Sequence, residues 1–389
     1  MIKADAPTPE FSLHGGTLHQ LGCWLGLVRE HNTFWLGAVL GLLPWSVILV
    51  LVLLQGGGHQ FFSLAMIGLH VRLLVAIPLF FVCETWVIPR MAEFVRNIVS
   101  SGLVPENDLP ALTSIIRRIG RMKDSRLAEI VLLLLAIALP LIATLSDYSG
   151  KMESWEKTLD LAGNSLPWIF DWYMGFCLPF FRYLMLRWFW RLGLWWYFLW
   201  HVQKLNLHLI PTHPDSAAGL GYLETVQEHF TPLVLAFSAT FSASFAEDFA
   251  LGTMTFESLY RLVPIFLCLI ALLFIGPLII FFPKLWVCRV TGLNEYMVMA
   301  SHYVNLFDRK WVRGENPSGE SLLGTADLQS LADLNNSVNV IRGMRWIPAG
   351  LELIIALGSF AILPLLPLLL IKYPVDQLAV RLFQMLTGL

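Results

Sequence analysis

FWLGAVLGLLPWSVILVLVLL, residues Phe34–Leu54, runs for about twenty residues without a charged side chain. As a helix rising about 1.5 Å per residue, it crosses roughly 30 Å of hydrocarbon. Six further stretches read the same way: Phe62–Cys83, Leu127–Leu145, Leu166–Leu186, Phe230–Phe249, Leu262–Phe282 and Ile347–Ile371. Together they predict an all-α polytopic membrane protein of about seven transmembrane helices. The composition agrees. Of 389 residues, 56% are hydrophobic and 14% charged, whereas a soluble domain carries about 25% charged residues. Prolines from Pro44 to Pro367 fall inside most of the stretches. Each removes a backbone donor, and neighbouring helices must cover the carbonyl it frees, which suits a packed bundle.

Lysine and arginine set the expected orientation, because cytoplasmic loops retain them. Segment 84–126 carries Arg90, Arg96, Arg117, Arg118, Arg121, Lys123 and Arg126, and segment 283–346 is similarly basic. Between the first two spans, 55–61 has none, and 146–165 has only Lys151 and Lys157. Seven alternating spans put both basic segments on one side. The N-terminus is then cytoplasmic and the C-terminus extracytoplasmic, in a bacterial inner membrane. The N-terminal segment 1–33 lacks the basic–apolar–small pattern of a cleavable signal, so the first span is expected to stay as an anchor. Leu18, Leu21, Leu25 and Val28, behind Thr17, predict an amphipathic helix along the inner face. The bundle occupies 34–371, with cytoplasmic segments 84–126, 187–229 and 283–346, and 372–389 forms an extracytoplasmic tail. Leu186–Trp200, LRWFWRLGLWWYFLW, fits an extension of the fourth helix, an interfacial helix or an extra span. In Val104–Ser125, Ile115, Ile116 and Ile119 are expected to touch the membrane while Arg117, Arg118 and Arg121 meet anionic lipid.

Four groups of residues invite a chemical reading. Arg72 and Asp171 lie at membrane depth, where a charge pairs, faces water or snorkels, and the topology lets them pair. It also brings Arg182 near Glu129 and Glu352. Ser238 and Ser242 share one face of the fifth span, as do Thr240 and Ser244. They serve either close helix packing or a polar path from Arg72 and Asp171 to an acidic mouth at Glu247 and Asp248. Thr212-His213-Pro214-Asp215, before Gly219 and Gly221, reads as a helix start capped by Thr212. Alternatively His213 and Asp215 belong to a cytoplasmic site. Finally, the helix after Thr325 places Leu331, Leu334, Val338 and Ile341 on one face and Asp333 on the other. It is a surface helix, or a gate or docking element to which Asp327 and Asp333 contribute. The decisive question is whether it meets the His213 segment.

Much is excluded. Cys23, Cys83, Cys177, Cys268 and Cys288 are dispersed, and no C-x-x-C, H-E-x-x-H or phosphate-loop pattern occurs. No metal and no cofactor is therefore expected. No basic tail or arginine-rich block points to nucleic acid.

His213-Pro214-Asp215 with Gly219-Leu220-Gly221, then Gly324-Thr325-Ala326-Asp327 with Gln329-Ser330-Leu331-Ala332-Asp333-Leu334, resembles a family of uncharacterised bacterial multi-span inner-membrane proteins. The resemblance covers about Trp195 to Pro367. It implies a bacterial membrane setting and carries over no activity or site residue. The first functional expectation is a channel or transporter for a small solute or ion, with the bilayer and a second copy of the chain as partners. The alternatives are a sensor or scaffold for a cytoplasmic protein partner and a lipid-acting membrane enzyme. The enzyme reading ranks last, because no nucleophile or metal pattern accompanies His213 and Asp215.

Overall fold

The computed structural model describes residues 11–28, 32–54, 61–144, 167–314, 322, 325–372 and 384. The expected loop 146–165, the glycines 56–58, Gly324, the first ten residues and nearly all of the tail lie outside them. Among the described residues every element is a helix. We number them α1 (Thr17–Trp24), α2 (Phe34–Leu54), α3 (Leu64–Ser100), α4 (Leu109–Lys123) and α5 (Arg126–Thr144). Helix α6 runs through Pro167–Trp172, Tyr173–Cys177 and Leu178–Lys204. Then come α7 (Tyr222–Glu228), α8 (Thr231–Ala250), α9 (Phe256–Ile279), α10 (Phe282–Phe307), α11 (Ala326–Arg342) and α12, which starts at Leu351–Ile362 and ends at Leu366–Lys372.

Among the described residues, five helices are long and apolar enough to cross a membrane: α2, α3, the joined Tyr222–Ala250, α9, and Leu351–Leu369 of α12. Helix α5 coincides with the expected third span, but its side chains are described only to Ala138. Helix α6 covers the expected fourth span, yet Arg182, Arg187 and Arg191 interrupt its apolar run. Leu186–Trp200 continues α6 without a break, so it is a helix extension. Helix α3 likewise runs past Cys83 to Ser100.

Helices α2 and α3 show why these sequences pack. Gly37 and Gly41 lie four residues apart on one face of α2. A side chain at Gly37 would start 2.6 Å from Phe81 Cβ, and one at Gly41 would start 2.2 Å from the Leu73 carbonyl oxygen. Lipid is as apolar as leucine, so burial alone does not drive such an association, and close backbone approach does. The Leu73 carbonyl belongs to a π-helical stretch, Val71–Ala76. A second π stretch, Tyr173–Cys177, lies in α6. Pro78 and Pro179 follow them closely. A proline's missing donor and ring displace the preceding turn, and a widened turn absorbs the displacement.

Helix α4 departs from expectation. Leu112 and Ile119 are buried in the protein, and Ile115 and Ile116 pack against the same core. The apolar face of α4 therefore covers α6, not the membrane. Arg118 donates to Tyr197 Oη at 2.9 Å, and Arg117 and Arg121 stay exposed.

Gly41→Leu should cost about 3 kcal/mol, because backbone rather than a movable side chain opposes the new group. Thermal unfolding in detergent micelles measures this, and Leu42→Ala on the exposed face of α2 should leave the midpoint nearly unchanged.

Candidate functional site

Helix α3 turns Arg72 and Glu84 into the packed protein, about 18 Å apart along its axis. Each is held in a separate cluster. Glu84 is buried, and α6 supplies its counter-charges from Arg187 and Arg191, one turn apart. Arg191 Nη2 donates to Glu84 Oε1 at 2.8 Å. Its Nη1 lies 2.8 Å from Oε2 but is poorly aligned as a donor, so that contact is ionic rather than a second hydrogen bond. Arg187 Nη2 sits 3.7 Å from Oε1 and His14 Nδ1 3.6 Å from the same oxygen. The chain before α2 closes this end. Lys123 donates to the His14 carbonyl at 2.6 Å and Arg187 to the Gly15 carbonyl at 2.9 Å. Gly16 at the start of α1 has no capping side chain, and Glu129 of α5 accepts the Thr17 N–H in its place at 2.9 Å. Gly15, Lys123, Glu129, Arg187 and Trp190 surround a cavity of about 20 Å³, room for about one water molecule.

The second cluster forms at the Leu64 end of α3. Arg72 Nη1 donates to Tyr173 Oη at 2.7 Å, and Nη2 donates to Ser244 Oγ at 2.9 Å and to Glu247 Oε2 at 3.3 Å. Glu247 and Tyr173 are buried. Both π stretches contribute, one carrying Arg72 and the other beginning at Tyr173. Gly68 makes room, since a Cβ there would lie 2.1 Å from Glu247 Oε2. Two residues before Arg72, His70 accepts at Nδ1 from the Trp45 indole at 2.9 Å. The imidazole proton is therefore assigned to Nε2, which donates to the Phe61 carbonyl at 2.8 Å.

The expected polar path is only partly assembled. Arg72 meets Glu247 rather than Asp171, which is exposed. Asp248 accepts from the Thr253 hydroxyl at the end of α8. The Ser238 hydroxyl donates to the Ala361 carbonyl, and Ser242 Oγ donates to that of Pro364 at 2.5 Å. Pro364 and Pro367 stand three residues beyond those carbonyls in a tightened stretch of α12 and cannot donate back to them. The serines of α8 supply the missing donors, which is close packing. Near the Ser100 end, Glu352 is exposed while Glu129 caps α1.

The expected cytoplasmic site separates into two. Residues around His213 form a loop, not a helix start, and the next helix begins at Tyr222. Ser216 and Ala218 have φ of 55° and Gly219 of 98°, a region that costs about 1–2 kcal/mol per non-glycine residue. Asp215 holds this backbone, accepting N–H bonds from Ala217 at 2.8 Å, Gly219 at 3.1 Å and Gly221 at 2.7 Å. His213 Nδ1 lies 2.8 Å from Asp215 Oδ1. Arg345 donates to the Asp215 carbonyl at 3.1 Å and pairs with Glu224, which also accepts the Gly350 N–H at 2.8 Å. The loop is thereby tied to the start of α12. Asp327 pairs instead with Lys310 at 2.9 Å and accepts from the Trp311 indole at 3.0 Å, and Asp333 accepts from Gln329 at 2.8 Å. Pro211 beside the loop and Ile341 of α11 both pack on Gly292 of α10, and Ile341 lies about 20 Å along α11 from Asp327. The two motifs do not form one site.

No family model matches the chain, and neither a curated protein nor a solved structure matches it, so the site is read from its own geometry. Sequence reasoning passed over Glu84, Arg187, Arg191, His14 and His19. The available signal was Arg187 and Arg191 at i and i+4 inside an aromatic helix, a spacing that aims both at one partner. The ligating atoms of His14, His19 and Glu84 fall within 4.8 Å of one another. Among the described residues the charges here balance: Lys123, Arg187 and Arg191 face Glu84, Asp124 and Glu129. A divalent ion would leave two buried positive charges unmatched, so the geometry favours a site without one.

Burial alone would raise the Asp215 carboxyl, but the N–H groups of Ala217, Gly221 and Gly219, together with His213, outweigh it and hold the group below its ordinary 3.8. The stabilisation is complete above that value and disappears as pH falls below it, through the lowered value. Asp215→Ala should cost about 2 kcal/mol at neutral pH. It should also remove this acid-dependent component from a stability–pH curve measured in micelles.

Proposed function

We propose that this chain is a transport protein, a channel or transporter for a small solute or ion. The supporting observation is the Arg72–Glu247 pair with Tyr173 and Ser244. Ionisable groups at membrane depth are expensive and are retained where something charged or polar passes. Here Arg72 and its partner Tyr173 stand on two widened helical turns, a distortion common at functional sites. The finer setting belongs to the same proposal: seven spans, a bacterial inner membrane, a cytoplasmic N-terminus, an extracytoplasmic C-terminus, a homo-oligomer, and membership of the bacterial family that the two motifs resemble. On that topology Arg72–Glu247 forms an outer polar constriction and Glu84–Arg187–Arg191 an inner one. Ser238 and Ser242 belong to the scaffold, and Asp248 to the outer rim.

A second reading, a scaffold for a cytoplasmic protein, draws support from α10 and α11. They pair as a helical hairpin whose Val287, Val298 and Val304 stay exposed.

Flux of protons, sodium, potassium and chloride into liposomes carrying the full chain tests the transport reading. Glu247→Gln, checked for folding by its melting curve, should reduce the conducted flux at least about tenfold by removing the charge of the outer pair. A wild type that moves none of these ions contradicts the ion-conducting form of the proposal, as does a variant that conducts as well as wild type.

A further inference from the structure

Residues 11–24 lie across the Ser100 end of α3 as a strap. Phe11 and Leu13 anchor it, both buried, with Phe11 set against Trp195 and Phe198 at ring-centroid distances of 6.0 and 4.7 Å. The polar bonds of Lys123, Arg187 and Glu129 to the strap backbone close the small cavity over Arg187 and Glu129. The strap holds two histidines against the cluster. The His14 and His19 rings stand 5.3 Å apart, and His19 Nδ1 is buried without a hydrogen-bond partner among the described residues.

We propose that His19, packed against the His14 ring, is a proton-binding site whose occupation releases the N-terminal strap and uncovers the Glu84–Arg187–Arg191 cluster. The charge balance supports this. Facing the histidines are Glu84 from α3, Lys123 and Asp124 from α4, Glu129 from α5, and Tyr183, Arg187 and Arg191 from α6. With the imidazoles neutral, three cations among the described residues face three carboxylates. A proton on His19 adds an unmatched charge beside two guanidiniums, and its Nδ1–H finds no acceptor among the described residues. Burial pushes the His19 imidazole below its ordinary 6.5. Glu84 pulls it up, while His14, Arg187 and Arg191 push it further down. A docked value below the free one means that the released strap binds the proton more tightly. Docking is thus complete above 6.5 and weakens as pH falls below it.

Release is read at the strap's own amides rather than as flux, so its outcome is separate from that of the transport test. Hydrogen–deuterium exchange on the full chain in micelles, corrected for the intrinsic pH dependence of exchange, follows residues 11–24 with α8 as internal reference. Between about pH 7.5 and about pH 5.5, strap protection should fall at least about tenfold while that of α8 holds. His19→Gln should stay protected at both values, and His19→Lys, charged at both, should exchange at both. A wild-type strap equally protected at both pH values overturns the proposal, as does a His19→Gln strap that loses protection like wild type. If a variant loses α8 protection and so fails to fold, the wild-type titration decides alone.

Discussion

A charged group surrounded by apolar helices must find its counter-charge inside the protein, and α3 carries two such groups. Arg72 reaches Glu247 on α8 and Tyr173 on α6, and Glu84 reaches Arg187 and Arg191 on α6. Two fixed points about 18 Å apart define the axial register of α3 against α6. Sliding α6 by one residue would strand a charge at Glu84 and break the hydrogen bond from Arg72 to Tyr173. Apolar contacts alone do not specify this register, because leucine packs nearly as well one turn away. The ionic contacts need not add net stability. Their certain effect is to penalise every arrangement that breaks them.

Proline damage and its repair account for much of the remaining polar structure. The freed carbonyls of α12 are taken up by Ser238 and Ser242 of α8, which ties those helices together. The widened turns before Pro78 and Pro179 place Arg72 and Tyr173 where they touch. Leu73, in one of those turns, leans over Gly41 and lets α2 approach. Backbone distortion, helix packing and the candidate site are thus linked through a few residues of α3.

The long apolar helices were legible because length and the absence of charge suffice to mark them. The partners of their polar residues were not, since they depend on which helices become neighbours. Glu84 reads as the first residue past an apolar run, and only the continuation of α3 to Ser100 shows that it is buried. Arg187 and Arg191 read as headgroup-level residues until α6 is seen to extend past Leu186 and turn both towards Glu84. Ser238 and Ser242 fit packing and a water-lined wall equally well in the sequence, and the carbonyls that separate the two readings lie more than a hundred residues away. The His213–Asp215 loop misleads for a local reason. Its spacing mimics a helix cap, but the left-handed residues at Ser216 and Ala218 bend the chain the other way. The strap was visible only as an apolar helical stripe, because nothing in the sequence says that Phe11 reaches Trp195.

The most direct test of α3 as a helix pinned by paired charges is a double-mutant cycle on Arg72 and Glu247, read as unfolding free energy in micelles. Arg72→Met and Glu247→Met should each cost about 3–5 kcal/mol, because each leaves one charge unmatched. The double variant should recover most of that loss, giving a coupling of about 3 kcal/mol. Simply additive losses would show that the two residues do not depend on each other and would contradict the account.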